Sequence, residues 1–122
     1  MKRTFRALSV VLILLVVFSA TAFAAPAPPV SQVQITGASI NSDGNVYVTV
    51  RVTGYGQPFA TWDGGQITDY DIQTIGKPTV TGFYYIYNCG KAVKGSHTFK
   101  FSIRSFNSPW NTLNVSGTYT IS

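Results

Sequence analysis

The segment Val46-Tyr47-Val48-Thr49-Val50-Arg51-Val52-Thr53 decides the fold class. Its valines occupy every second position, and the residues between them face the opposite way. Because side chains alternate between two faces of a β-strand, four β-branched residues on one side indicate a strand with one buried face. The preceding Asn41-Ser42-Asp43-Gly44 has turn chemistry, since Asp-Gly tolerates the backbone angles of a tight reversal. The segment therefore predicts a strand of an antiparallel sheet.

The same period of two recurs along the chain, and no window has a convincing helical repeat. Further strands are predicted at residues 33–35, 59–62, 67–75, 80–87, 98–106 and 113–121. About seven strands with turn residues between them are typical of a sandwich. The predicted fold is therefore all-β, an immunoglobulin-like antiparallel β-sandwich of about seven strands. Within residues 83–87 the inward face stays open, because aromatic residues at odd positions compete with Tyr84 and Ile86.

The first 24 residues have the features of a secretory signal peptide: a basic start, an uncharged apolar stretch at 7–18, and Ala22-Phe23-Ala24 as a cleavage pattern. The alternative is an uncleaved membrane anchor, which needs about 20 mostly apolar residues. The stretch reaches that length only by including Ser19, Thr21 and the cleavage-site alanines. The predicted organisation is a signal peptide at 1–24, a proline-rich extended spacer at 25–30, and one sandwich domain at 31–122. We expect the mature chain to be secreted and extracellular, with no membrane association.

Removing Lys2, Arg3 and Arg6 with the signal leaves six basic residues against four aspartates, a net charge of +2. This charge is too small to indicate nucleic-acid binding, which depends on many phosphate contacts. Cys89 is the only cysteine, so no intrachain disulfide forms and core burial must stabilise the domain. Cys89 itself is either a small core residue or the site of an intermolecular disulfide or reactive thiol.

The segment at 94–103, Lys-Gly-Ser-His-Thr-Phe-Lys-Phe-Ser-Ile, resembles the entry to the penultimate strand of immunoglobulin-like or fibronectin-like domains of bacterial secreted proteins. The resemblance covers about thirty residues and implies the sandwich architecture without a function. The disulfide and core Trp of antibody-type domains are missing as a set. The whole mature chain also resembles the YolA-type family of small secreted bacterial proteins, through the segments at 70–78 and 105–112. That family has no established activity, so the resemblance implies no mechanism.

The residues needed for catalysis are scarce. The chain has no Glu, one His and four Asp, whereas acid–base catalysis usually requires a positioned His or paired carboxylates. Asp69 and Asp71 share a face if their segment is a strand, although such spacing more often marks the solvent face of an edge strand. His97 could act with Asp63 or Asp71 in a small hydrolase, but no Gly-x-Ser-x-Gly pattern supplies a nucleophile. We expect no enzyme activity.

No metal or cofactor is expected either. One His and one Cys do not make a closed zinc site. Residues 41–45 lack the ligand spacing and the closing Glu of a calcium loop. A hairpin turn accounts for them.

The stronger functional indication is the aromatic loop at 106–111, because chain reversals usually lie at the surface. The predicted ligand-binding residues are Trp110, Phe106, Asn107, Asn111 and Tyr55. In this hypothesis Trp110 stacks on the apolar face of a sugar, the two asparagines bind hydroxyls, and Tyr55 is a neighbour. The same composition suits a protein-binding loop, in which aromatic residues anchor and polar residues adapt. The alternative is that Trp110 folds back as a lid over one end of the core.

The predicted function is non-catalytic recognition outside the cell, with an extracellular glycan, a cell-wall surface or a protein as the partner. A glycan partner predicts weak, salt-tolerant binding that depends on Trp110. A protein partner, including self-association or antagonism towards other cells, predicts a definite stoichiometry and a dependence on several loops.

Overall fold

The valine segment forms the centre of a sheet in the computed structural model, which describes residues 27–122. It lies in β2 (Asn45–Thr53), where Val46, Val48, Val50 and Val52 are at most 4% exposed. Burying such a side chain contributes roughly 1.5–3 kcal/mol. The intervening residues are half-buried on the outer face of the sheet. The predicted signal peptide at 1–24 lies outside the described residues.

Residues 27–122 contain eight strands: β1 (Gln32–Ile40), β2 (Asn45–Thr53), β3 (Gly56–Trp62), β4 (Gly65–Ile67), β5 (Tyr70–Ile75), β6 (Gly82–Lys91), β7 (Gly95–Ser105) and β8 (Thr112–Ile121). The strand order is β1-β2-β6-β5 in the first sheet and β4-β3-β7-β8 in the second sheet. Every pairing is antiparallel. Across residues 27–122 the structure has no helix long and apolar enough to cross a membrane.

The two sheets face each other across one core, which confirms the predicted all-β sandwich. Their strand orders correspond to those of an immunoglobulin constant-type sandwich, with β4 as an additional edge strand beside β3. The additional strand comes from the segment at 67–75, which was predicted as one strand. The segment divides between the sheets: β4 ends at Ile67 in the second sheet, and β5 begins at Tyr70 in the first. The sequence between them has neither Gly nor Pro to mark the crossing.

The inward face of β6 is settled by its pairing with the valine strand. Val48 pairs with Tyr87 and Val50 pairs with Tyr85, so the odd-numbered residues of β6 share the valine face. Phe83, Tyr85 and Tyr87 are accordingly buried, and the rings of Tyr85 and Phe101 lie 5.7 Å apart across the sandwich.

The segment at 27–31 packs onto the domain, although residues 25–30 were predicted as an extended spacer. Val30 is 2% exposed and belongs to the core. The Tyr55 N–H donates to the Pro28 carbonyl at 3.0 Å, and the Ser31 N–H donates to the Thr53 carbonyl at 2.9 Å. Gly54 makes this approach possible, because a Cβ at that position would lie 2.2 Å from the Pro29 carbonyl oxygen. The described part of the spacer therefore belongs to the fold.

Gly54 and Gly44 offer a matched test of this docking. Both have positive φ, +101° and +81°, but nothing lies within 4 Å of a Cβ at Gly44. Gly44→Ala should therefore lower the free energy of unfolding by about 1–2 kcal/mol, the cost of a left-handed residue. Gly54→Ala should cost about 1–3 kcal/mol more, because its Cβ clashes with the docked segment. Urea unfolding measures both, and equal losses would show that residues 27–31 do not press on Gly54.

Candidate functional site

The loop that joins β7 to β8 presents two aromatic side chains at the surface. Trp110 is 54% exposed and Phe106 is 51% exposed. The alternative in which Trp110 folds back over the core is therefore wrong, and the predicted exposure is confirmed. The loop lies at the same end of the sandwich as the segment at 27–31, the β2–β3 corner and the β5–β6 connection.

The loop backbone has an unusual conformation at the exposed Trp. The Ser108–Pro109 peptide is cis and the Trp110 N–H donates to the Asn107 carbonyl at 2.8 Å, the arrangement of a type VI turn. Trp110 has φ of +59°, in the left-handed region that bulky residues rarely occupy. Such a backbone conformation costs of order 1–3 kcal/mol and persists only where surrounding contacts hold it.

Both asparagines of the loop, which are predicted ligand partners, supply those contacts. The Asn111 amide donates to the Val30 carbonyl at 2.8 Å and accepts from the Ser105 hydroxyl at 2.5 Å. The Asn107 amide donates to the Ala27 carbonyl at 2.6 Å. These amide groups are engaged with the protein itself because they satisfy the docked segment at 27–31. Each of them holds the loop against the segment at 27–31 through one amide donor.

Tyr55, which is predicted as a neighbour of Trp110 in the ligand site, is buried. It is 7% exposed, and its ring packs edge-to-face on Phe83 with centroids 5.2 Å apart. Its hydroxyl donates to the Val80 carbonyl at 2.8 Å, and burial raises its pKa. The Tyr55 carbonyl accepts from the Phe106 N–H at 3.3 Å, so Tyr55 supports the loop from the core.

A groove that the sequence pattern did not indicate lies on the outer face of the second sheet. It has a volume of about 510 Å³ and is lined by outward residues of three adjacent strands: Phe59, Thr61, Lys100, Ser102, Asn114 and Ser116. Phe59 is 48% exposed within it. The alternation at 59–62 is the sequence pattern that could have indicated this outer face. It is ambiguous because Phe59 lies on one face of the short strand, whereas Trp62 lies on the other face with Ala60, so both faces contain an aromatic residue.

His97 does meet an aspartate, at the opposite end of the sandwich. Its Nδ1 lies 2.6 Å from Asp63 Oδ2 and its Nε2 lies 2.5 Å from the Val93 carbonyl oxygen. Trp62 stacks on the imidazole with centroids 5.2 Å apart. The other Asp63 oxygen accepts from the Thr98 N–H at 2.9 Å. Since both partners of the ring can only accept, the doubly protonated imidazolium satisfies both contacts.

This geometry supports a structural role for His97 over the hydrolase alternative. A general base needs a ring nitrogen that can reach a substrate, whereas both nitrogens of His97 already contact the protein. Asp71, the other predicted partner, lies on β5 in the first sheet, while His97 lies on β7 in the second. The pair instead joins the turn after β3 to β7.

Asp71 lies on β5 and Asp69 lies directly before it. β5 is an edge strand, as expected. Asp69 accepts from the Asn88 amide at 3.4 Å. A hydrogen bond to Asp43 raises the pKa of Tyr47, with smaller contributions from Asp69 and Asp71. Within residues 27–122 the structure has no group of three or more His, Cys, Asp or Glu side chains that could hold a metal ion.

Comparison with known families gives one match. A family described as a domain of unknown function, DUF4879, matches residues 38–121. The chain belongs to this family. The DUF4879 region contains the aromatic loop, the groove and the His97–Asp63 pair, but it excludes residues 27–31, which hold the loop in place. No curated protein and no solved structure matches the chain.

The His97–Asp63 contact predicts a pH dependence. The Asp63 hydrogen bond, with a further contribution from the Val93 carbonyl, raises the pKa of His97 above 6.5, and the His97 hydrogen bond lowers the pKa of Asp63 below 3.8. The histidine's stabilisation is therefore complete below about pH 6.5 and is lost as pH rises through its raised pKa. The stabilisation that Asp63 contributes is complete above about pH 3.8 and is lost as pH falls through its lowered pKa.

NMR titration can measure this directly, because the chain has a single His. Asp63→Asn should lower the His97 pKa, since it removes the carboxylate that stabilises the imidazolium. Asp43→Asn is the control and should leave the His97 pKa unchanged. A His97 pKa that is the same in Asp63→Asn and in the parent protein would contradict the pairing.

Cys89 provides a second test. It is 8% exposed at the edge of the core, and burial, with a smaller effect of Asp63, raises its pKa to about 12. Because the thiolate is the reactive form, the native protein should react slowly with a disulfide reagent at pH 8 and rapidly in concentrated urea. Rapid reaction of the native protein, or a disulfide-linked dimer on a non-reducing gel, would instead support the intermolecular role.

Proposed function

We propose that the chain is a secreted, non-catalytic recognition module that binds an extracellular glycan or cell-wall surface through the loop at 106–111. The observation that carries the proposal is the exposure of the Trp110 side chain on a loop whose conformation is fixed by hydrogen bonds to the segment at 27–31. Trp110 is the stacking anchor and Phe106 widens the aromatic surface. Both rings are about half exposed.

The loop supports this proposal because it is preorganised. Ordering a flexible loop on binding costs affinity, and a loop held beforehand avoids most of that cost. Here the Asn107 and Asn111 side chains and the Ser105 hydroxyl bind the loop to the segment at 27–31. A ring presented in this way binds through its face, so binding should tolerate salt.

The predicted signal peptide supports the extracellular setting. The signal-peptide pattern at 1–24 and the resemblance to immunoglobulin-like and YolA-type secreted proteins of bacteria both favour a target outside the cell. The strand order is in keeping with that resemblance, and sandwich domains commonly carry recognition sites in loops at one end. The family assignment adds no activity of its own.

A protein partner is the second candidate, and the inward direction of the asparagine amides favours it. One donor of each amide is engaged with the protein, and three of the four exposed residues of the loop are apolar: Phe106, Pro109 and Trp110, beside Ser108. Exposed aromatic residues of this kind are frequent anchors of protein interfaces. Self-association or antagonism towards other cells would both use such a surface.

The test is a pull-down of the mature protein on insoluble polysaccharides and on cell walls. Trp110→Ala should reduce the bound fraction by about tenfold, because a half-exposed indole contributes on the order of 1.4 kcal/mol when covered. Val93→Ala is the control, since Val93 is 58% exposed and lies in the β6–β7 connection at the opposite end.

Binding that survives Trp110→Ala would contradict the loop as the site. Absence of binding by the parent protein would remove the glycan target. Capture of one protein at a defined stoichiometry, lost in Trp110→Ala, would then establish the second candidate.

A further inference from the structure

The outer face of the second sheet carries a small ordered array of side chains. Phe59 pairs with Ser102, which pairs with Asn114. In the next outward row Thr61 pairs with Lys100, which pairs with Ser116. Neighbouring strands are about 4.8 Å apart and alternate residues about 7 Å apart. The six side chains therefore cover about 10 by 7 Å, and they line the groove of about 510 Å³.

The chemistry of this array is that of a saccharide site. It combines one exposed aromatic ring, three hydroxyl groups, one carboxamide and one ammonium. Small-ligand sites usually join an apolar surface to a few polar groups that fix orientation. Phe59 offers the apolar surface, and the hydroxyl and amide groups match the donors and acceptors of sugar hydroxyls.

The charge of the array is positive. Lys100 is exposed, and Arg104 continues the same outward face of β7 one row further on. Asp43 and Asp69 surround Tyr47 and Asn88 on the first sheet. Asp63 lines an adjoining pocket with Thr61 and Lys100, and there its carboxylate is paired with His97. A ligand carrying carboxylates would complement this face.

We infer that the groove binds an acidic saccharide, a sugar chain with carboxylate groups, at a site separate from the aromatic loop. Phe59 stacks on a sugar ring and Lys100 pairs with a carboxylate. Asn114 and the adjacent hydroxyl groups bind sugar hydroxyls. The inference does not depend on the proposed function of the loop.

An extended peptide suits this site poorly. The middle strand, β7, pairs with β3 on one side and with β8 on the other, so its backbone groups are engaged along the groove. A peptide that adds to a sheet needs an unpaired edge. Recognition here depends on side chains alone, which favours a ligand rich in hydroxyls.

The test is calorimetric titration of the mature protein with an oligogalacturonate, a carboxylated sugar oligomer. The methyl-esterified oligomer of the same length is the neutral control ligand. The oligogalacturonate should bind, and the ester should bind at least about tenfold more weakly because it lacks the charge that pairs with Lys100. Raising the salt concentration should weaken binding of the acidic oligomer only.

Variants then locate the site. Phe59→Ala and Lys100→Met should each weaken oligogalacturonate binding about tenfold, whereas Lys100→Arg should retain it because the charge remains. Both positions are exposed, so the variants should fold, and circular dichroism with urea unfolding verifies this. Trp110→Ala should leave this binding unchanged.

Three results would overturn the inference. They are no binding of oligogalacturonate by the parent protein, equal binding of the acid and its ester, and binding that Trp110→Ala abolishes while Phe59→Ala does not. The last result would be compatible with the proposed function of the loop. Loss of oligogalacturonate binding in Phe59→Ala but not in Trp110→Ala would instead show that the groove and the loop are separate sites.

Discussion

The packing of aromatic rings between the two sheets is the contact on which the rest of the molecule depends. The ring centroid of Tyr87 on β6 lies 5.9 Å from those of both Phe99 and Phe101 on β7, and the centroid of Tyr85 lies 5.7 Å from that of Phe101. With one cysteine in the chain, no disulfide joins the sheets, so these rings and the valine face of β2 do so. Burial raises the pKa of Tyr85 and Tyr87 far above that of an exposed tyrosine.

The two ends of the sandwich are closed by different contacts. At one end, Asp63 and His97 close the turn after β3 with a contact that is an ion pair when His97 is protonated. At the other, Val30 enters the core and its backbone binds Ser105 and Asn111. The second closure holds Trp110 in its left-handed conformation, so the most exposed aromatic side chain of the loop depends on residues far away in sequence.

The sequence predicted those features that depend on local alternation. β2 and β7 each have one apolar face and one polar face, so the period of two shows which face points into the core. β6 has apolar residues on both faces, and only its register against the valines shows which face is inside. The crossing between β4 and β5 was missed because neither Gly nor Pro marks it.

The candidate site was predicted in part for the same reason. Exposure of Trp110 and Phe106 follows from the loop residues around them, and the structure agrees. The inward amides of Asn107 and Asn111 could not be predicted, because their partners lie 80 and 81 residues away. The Phe59 array could not be predicted either, because it requires the register of three strands, and the paired residues of β3 and β7 are 37 to 49 positions apart.

The hydrogen bonds between residues 27–30 and 105–111 also bear on how the chain reaches its fold. Each of them joins positions 75 to 81 residues apart, and contacts between such distant positions form slowly because the chain must close a long loop first. Neither partner can complete this closure until β7 and the loop after it have been synthesised. The first residues that the structure describes are therefore secured only after residues 105–111 are available, and a nascent chain lacks this closure until then.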